Sequence, residues 1–272
     1  MVNHKRLTGR LQRFLGTGTC LAIVAFAVHV LAQPTQPKES VVNETELRSK
    51  AITSLNAGEK AKALEAANQL IENFPNSAAA MLTAADTLLR SGKPKESLQY
   101  FDRYLKFEPD ALPYLWQRGI AQYFAGSYQD GVKQFEVLRR VNPNDVENAA
   151  WHFLCLARAD SFKKASELVL PAPGDPRIPM EEVLEMLKSG DTDLVKKRIQ
   201  SVPANTGERM RADFYGYFYL GLYADAKGQQ AAALDWLKKS AADAPHHYMG
   251  DIARVYVEYL QEQIKAKKIP KS

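Results

Sequence analysis

Cysteine is almost missing from this chain. There are two, Cys20 and Cys155, and the first lies in an N-terminal stretch expected to be removed. One remaining thiol cannot form an internal disulfide or a paired C-x-x-C metal or redox motif, so stability has to come from burial. Also missing are the glycine-rich phosphate loop, the G-x-S-x-G nucleophile turn and the H-E-x-x-H zinc helix. These gaps point away from the corresponding nucleotide-binding, hydrolase and metalloprotease chemistries, and neither a cofactor nor a metal is expected. No alternating strand pattern interrupts the helical spacing of apolar residues.

Net charge is scarce as well. The chain holds 36 Lys+Arg against 31 Asp+Glu, but Lys5, Arg6, Arg10 and Arg13 precede an apolar run from Cys20 to Ala32. That pattern predicts a signal peptide over residues 1–32, cleaved after Ala32 and leading to a periplasmic or secreted chain. An uncleaved signal would be the only membrane link expected. Without it the balance is 32 against 31, or +1. So even a charge argues against general attraction to nucleic acid, which needs a concentrated basic surface. Residues 33–43 read as a polar, proline-containing linker.

What is present is a period. Gly58, Gly92 and Gly126 are spaced by 34 residues, and Pro75, Pro109 and Pro143 follow in the same register. Small residues stand seven positions before each glycine, at Ala51, Ala85 and Gly119. Glycine suits the end of a first helix, where the chain turns through positive φ, and proline suits the end of a second. A further copy over 214–247 carries Gly221, Gly228, Ala233 and Pro245 at matching offsets.

This register resembles tetratricopeptide repeats, which implies an all-α superhelix of antiparallel helix pairs. Three units are expected over 44–145, then a degenerate repeat with short helices over 146–213, including helices near Met180–Lys188 and Thr192–Ser201. A long final helix within 248–272 is expected to cover the exposed end of the stack. The tryptophan-containing "AAWHFLCLARA" and the later "FYGYFYLGLYADAKGQQAAALDWLKKSA" are similar to NlpI-type envelope lipoproteins. That resemblance implies an adaptor that docks envelope proteases or peptidoglycan hydrolases. Cys20 stands at the start of the apolar run and not at its end, and lacks a lipobox, so lipidation is not implied.

A stack of this kind presents the first helix of each pair along a concave face. The candidate protein-binding residues in that register are Asp86, Arg90, Trp116, Gln117, Tyr123, Phe124, Trp151, Arg158, Tyr215 and Tyr219. Aromatic and arginine side chains dominate binding hot spots. The same aromatics could instead be packing between helices. Oligomerisation through exposed repeat faces is the alternative, a structural self-association.

Two further constellations invite an enzyme reading. His152 and Cys155 lie three apart and could touch, but their register is the packing side and no orienting third group is evident. His247 and Asp251 lie one turn apart, fewer ligands than a metal site needs. His246 or His247 is expected to flank the start of the last helix.

Overall fold

The computed structural model describes residues 42–242, 244 and 247–268. The expected signal peptide, nearly all of the linker, Pro245 and His246 lie outside these residues.

Thirteen α-helices and one 3-10 helix make up the regular structure of the described residues. They are α1 (Glu44–Asn56), α2 (Lys60–Asn73), α3 (Ala78–Arg90), α4 (Pro94–Phe107), the 3-10 turn Pro109–Tyr114, α5 (Trp116–Ala125) and α6 (Tyr128–Leu138). The second half holds α7 (Val146–Ala159), α8 (Phe162–Glu167), α9 (Met180–Ser189), α10 (Thr192–Ser201), α11 (Gly207–Ala226), α12 (Gln230–Ala242) and α13 (Tyr248–Lys268).

Local chemistry sets the boundaries. Asn43, Ser77, Asp145, Ser161, Asp191 and Thr206 each cap a helix, accepting from backbone N–H groups of its first turn. A side-chain oxygen there satisfies donors that have no partner within the helix. At the other end, Gly126 closes α5 at φ 84°, and Gly58, Gly92 and Gly228 also have positive φ. The repeating glycine is therefore a backbone requirement, as the 34-residue spacing predicts.

The small residue seven positions earlier is a packing requirement. A Cβ placed on Gly119 would lie 2.6 Å from the Phe135 ring, so α5 and α6 pack at a distance only glycine permits there. Ala51 and Ala85 are buried at the equivalent first-helix place, and Phe101 and Phe135 at one equivalent place in the second helices. Consecutive helices pack in antiparallel succession, and α1 touches α3, α5 touches α7 and α7 touches α9, which gives the stacked helix-pair architecture. A nearly continuous apolar core runs from Ala85 on α3 to Leu260 on α13, with a smaller cluster of Leu47, Leu70, Ala80 and Met81 at the N-terminal end.

Three sequence expectations need correction. Helix α11 begins at Gly207, seven residues before Phe214, because Thr206 supplies a cap by accepting from Arg209 N at 3.1 Å. Helix α6 stops at Leu138, well short of Pro143, and Pro109 opens a 3-10 turn as well as following α4. Most importantly, α13 does not simply cover the end of the stack. It packs against α12 and continues back to α3, lying along the first helices of the pairs.

Candidate functional site

The stripe on α13 explains its course. Ile252, Ala253, Val255, Tyr256 and Leu260 recur at helical spacing and are buried, and Tyr248 and Asp251 extend the same side towards α3. That surface meets the residues expected to line the trough.

At the α3 end, Tyr248 donates its hydroxyl to Asp86 Oδ1 at 3.0 Å. Arg90 Nε donates to Asp251 Oδ2 at 2.8 Å, its second nitrogen lies 2.7 Å from the same oxygen, and its guanidinium sits 5.3 Å over the Tyr248 ring. Burial pushes the Asp86 carboxyl up to about 6, against the opposing hydrogen bond from Tyr248 and the charge of Arg90. A charged carboxylate there is only partly compensated.

At the centre, Asp225 on α11 is fully buried and accepts three bonds. Tyr123 donates from α5 at 2.8 Å, Tyr256 from α13 at 2.7 Å, and Arg158 Nη2 from α7 at 2.8 Å. The two tyrosine oxygens are themselves 2.8 Å apart. Burial, followed by the Asp225 charge, drives both phenols well above their ordinary range. Around this polar centre, Tyr256 packs against Phe124, Trp151 and Phe218 with ring centroids 5.2, 6.1 and 6.5 Å apart.

Of the sequence candidates, Arg90, Tyr123, Phe124 and Tyr219 are therefore buried within the chain, and Trp151 is buried as well while bordering a cavity. Arg158 is committed to Asp225 and Asp86 to Tyr248. Gln117 is half-buried, with an Oε1 that has no hydrogen-bond partner. Helix α13 supplies the partner for Asp86, Arg90, Tyr123, Phe124 and Trp151, whereas Arg158 is held by Asp225 on α11 and Tyr219 by Glu147 on α7.

Trp116 and Tyr215 are the exceptions. Both are half-buried and border a cavity of about 370 Å³, next to Tyr248, Asp145, Glu147 and Asn148. Trp116 meets Tyr248 edge-on at 4.5 Å. Tyr219 donates to Glu147 Oε2 at 2.8 Å, and Arg177 binds Glu147 and also Asp145 and Asp175 at 2.8 and 2.6 Å. Burial pushes the Glu147 carboxyl up, with Arg177 opposing and Asp145 reinforcing the shift.

The residues sequence reasoning missed are Asp225, Tyr248 and Tyr256, and Asp251 was singled out only beside His247, not as the partner of Arg90. Asp225 had a visible signal. Three residues before the turn glycine, the other units carry Leu55, Leu89 and Tyr123, all buried, so a carboxylate in that register demands partners.

The enzyme-like pairs resolve differently. Cys155 is buried against Gly131, and burial pushes its thiol up, which suppresses the thiolate. Neither ring nitrogen of buried His152 has a hydrogen-bond partner, and Glu136 lies 3.8 Å from its Nε2. His247 Nδ1 accepts from Gly250 N at 3.0 Å, flanking the start of α13, while Asp251 serves Arg90 and Arg254. Among the described residues, no group of three or more His, Cys, Asp or Glu is placed to hold a metal, and no helix is long and apolar enough to cross a membrane.

Helix pairs at a 34-residue period, turning on left-handed glycines, define a tetratricopeptide-type array, a class that works through surfaces offered to other proteins. The chain carries tetratricopeptide repeats: the tetratricopeptide repeat family model matches residues 49–113. The fold is similar to a solved structure described as MamA MSR-1 C2, at 17% identity and a TM-score of 0.40, covering 73% of this chain and 98% of that one. A tetratricopeptide repeat protein from Parabacteroides merdae is similar at 14% identity and a TM-score of 0.43, covering 80% and 98%. No curated protein matches the sequence significantly. The family match over residues 49–113 reaches the repeat and not the narrower NlpI-type likeness.

Proposed function

We propose that this protein is a scaffold that docks partner proteins through the cleft between α5, α7, α11 and the start of α13, and not along the whole concave face. The observation that carries this reading is the fate of the aromatic residues. Helix α13 covers Tyr123, Phe124 and Trp151, while Trp116 and Tyr215 stay half-buried at the rim of a cavity of about 370 Å³. Aromatic anchors beside a formed pocket are where binding energy concentrates.

The setting is proposed from the N-terminal sequence: export by the signal peptide over residues 1–32, into the space between membranes or beyond. The likeness to NlpI-type lipoproteins supports envelope proteases or peptidoglycan hydrolases as partners. No step of a reaction is assigned to this chain.

A photoreactive amino acid at position 116, compared with one at exposed Met210, tests the docking reading. Covalent adducts to a partner are expected from 116 and not from 210. In parallel, Trp116→Ala is expected to weaken capture of the partner so found by about tenfold or more, with helical content unchanged. Equal adducts at both positions, or undiminished capture, would remove the cleft from the function.

A further inference from the structure

We propose that the cleft receives a cationic side chain, an arginine, presented by the partner. This assigns the chemistry of the docking site and rests on that reading.

Charge is the first argument. Asp145 and Glu147 both border the cleft, and with Asp175 they share a single cation, Arg177. Three carboxylates around one guanidinium leave an excess of negative charge. The neighbouring charges do not correct it: beyond Tyr248, Asp86 and Asp251 are matched by Arg90 and Arg254. A positive ligand therefore meets a complementary field, which steers and selects it.

The walls are the second argument. Trp116, Tyr215 and Tyr248 present ring surfaces, and the protein already stacks cations on two of them. Arg177 lies 5.5 Å over Tyr215 and Arg90 lies 5.3 Å over Tyr248. Aromatic faces attract guanidinium through the ring quadrupole and accept its planar shape better than a hydrated ammonium.

Unpaired polar atoms supply the third, independent argument. Asn148 borders the cleft and is 3% exposed; its Nδ2 donates to Phe135 O at 3.2 Å, but its Oδ1 has no partner. Trp151, also on the border and 2% exposed, has an unpaired Nε1–H. Buried polar groups are normally satisfied, so such atoms call for a partner at the cleft wall, a water or a ligand group. The amide oxygen requires a donor and the indole requires an acceptor. An arginine within a peptide carries both, in its guanidinium and its carbonyl groups; a bare metal ion carries neither hydrogen-bonding group.

The test uses the full-length protein and two probes of the same shape, N-acetyl-arginine methylamide and N-acetyl-citrulline methylamide, the second uncharged. The indole N–H resonances of Trp116 and Trp151 are followed during titration, with Trp236, stacked on Tyr217 at 5.6 Å, as the internal control. The arginine probe is expected to shift the first two and bind about tenfold more tightly than citrulline, the scale of one charge-assisted contact. Glu147→Gln is expected to bring the two probes close to parity. Should that variant fail to fold, added salt on the wild type replaces it, since screening must shrink the arginine preference. Equal binding of the two probes, or no shift at Trp116 and Trp151, overturns the arginine assignment and leaves the docking reading standing. Loss of the position-116 adducts with the arginine preference intact removes the docking reading alone.

Discussion

If Asp225 is the polar pin that fixes α13 onto the repeats, removing its carboxylate should destabilise the whole chain and not only the local turn. In Asp225→Ala, three donors lose their acceptor. Tyr123 and Tyr256 can still bond to each other across 2.8 Å, so one hydroxyl proton is left without a partner. Arg158 retains some exposure, 29% of its side chain, and can turn towards water. The loss therefore falls at the low end for a broken buried ion pair, about 3 kcal/mol. In a chain of this size that lowers Tm by about 6–12 °C. Tyr256→Phe should cost less, about 1 kcal/mol, because Asp225 keeps two donors.

The informative variant is the triple change Asp225→Leu, Tyr123→Phe and Tyr256→Phe, which restores the residue type found at Leu55 and Leu89 and removes both hydroxyls that bond Asp225. Replacing a buried polar network by apolar side chains is often neutral or better, so this protein should recover most of the loss. Urea unfolding followed by circular dichroism, with limited proteolysis of α13, measures both. The reasoning is refuted if Asp225→Ala unfolds within about 1 kcal/mol of wild type, or if the triple variant is no more stable than the single one.

Glycine substitutions separate backbone strain from crowding. Gly126→Ala places a side chain at φ 84° with nothing within 4 Å, so it should cost about 1 kcal/mol from conformation alone. Gly119→Ala should cost about 1–2 kcal/mol after the gain in helix propensity, because its Cβ meets Phe135, and Phe135→Leu should relieve only that second loss. Asp86 gives a pH dependence. Its folded value of about 6 lies above the ordinary carboxylate value of 3.8, so the folded chain holds the proton more tightly and this group's contribution to stability falls as pH rises through that window. Asp86→Asn should therefore gain about 2 kcal/mol relative to wild type between about pH 4 and about pH 8, and parallel urea curves at the two pH values would contradict this. Buried Cys155 should resist a thiol reagent in the folded protein at about pH 8 and react once urea unfolds it; rapid native labelling would contradict its placement.

The helix pairs were legible because each leaves two independent marks in the sequence. A turn that needs positive φ selects glycine, and a close helix approach selects alanine or glycine seven residues earlier, so Gly126 and Gly119 report on different physics at fixed spacing. Short helices were legible from their caps and periodicity: α10 spans the expected Thr192–Ser201, and α9 runs one residue past the expected Lys188. The destination of α13 was not legible. Amphipathic spacing of Ile252, Tyr256 and Leu260 says that one side is buried but not against what, since the end of a stack and its inner face demand the same stripe. The site suffered most from this ambiguity. Nine of the ten candidate residues, all but Gln117, have an α13 or internal partner, and only a carboxylate in an apolar register, Asp225, hinted at it.

The same aromatic side chains decide whether α13 could swing away to admit a ligand along the trough. Tyr123, Phe124, Trp151 and Phe218 are at most 3% exposed beneath it. Side chains of this kind bury roughly 150–250 Å² each, so lifting the helix would bare several hundred Å² of contiguous apolar surface. Patches of that extent are uncommon on monomers, and the exposure would come with an uncovered carboxylate, Asp225, losing the Tyr256 hydroxyl. Displacement by a partner helix would have to replace all of these contacts at once. An opening at the start of α13 needs none of them to break. Recognition at the Trp116 and Tyr215 rim is thus compatible with a fixed α13, and the tyrosine-rich helix belongs to the core of this repeat array as much as the repeats do.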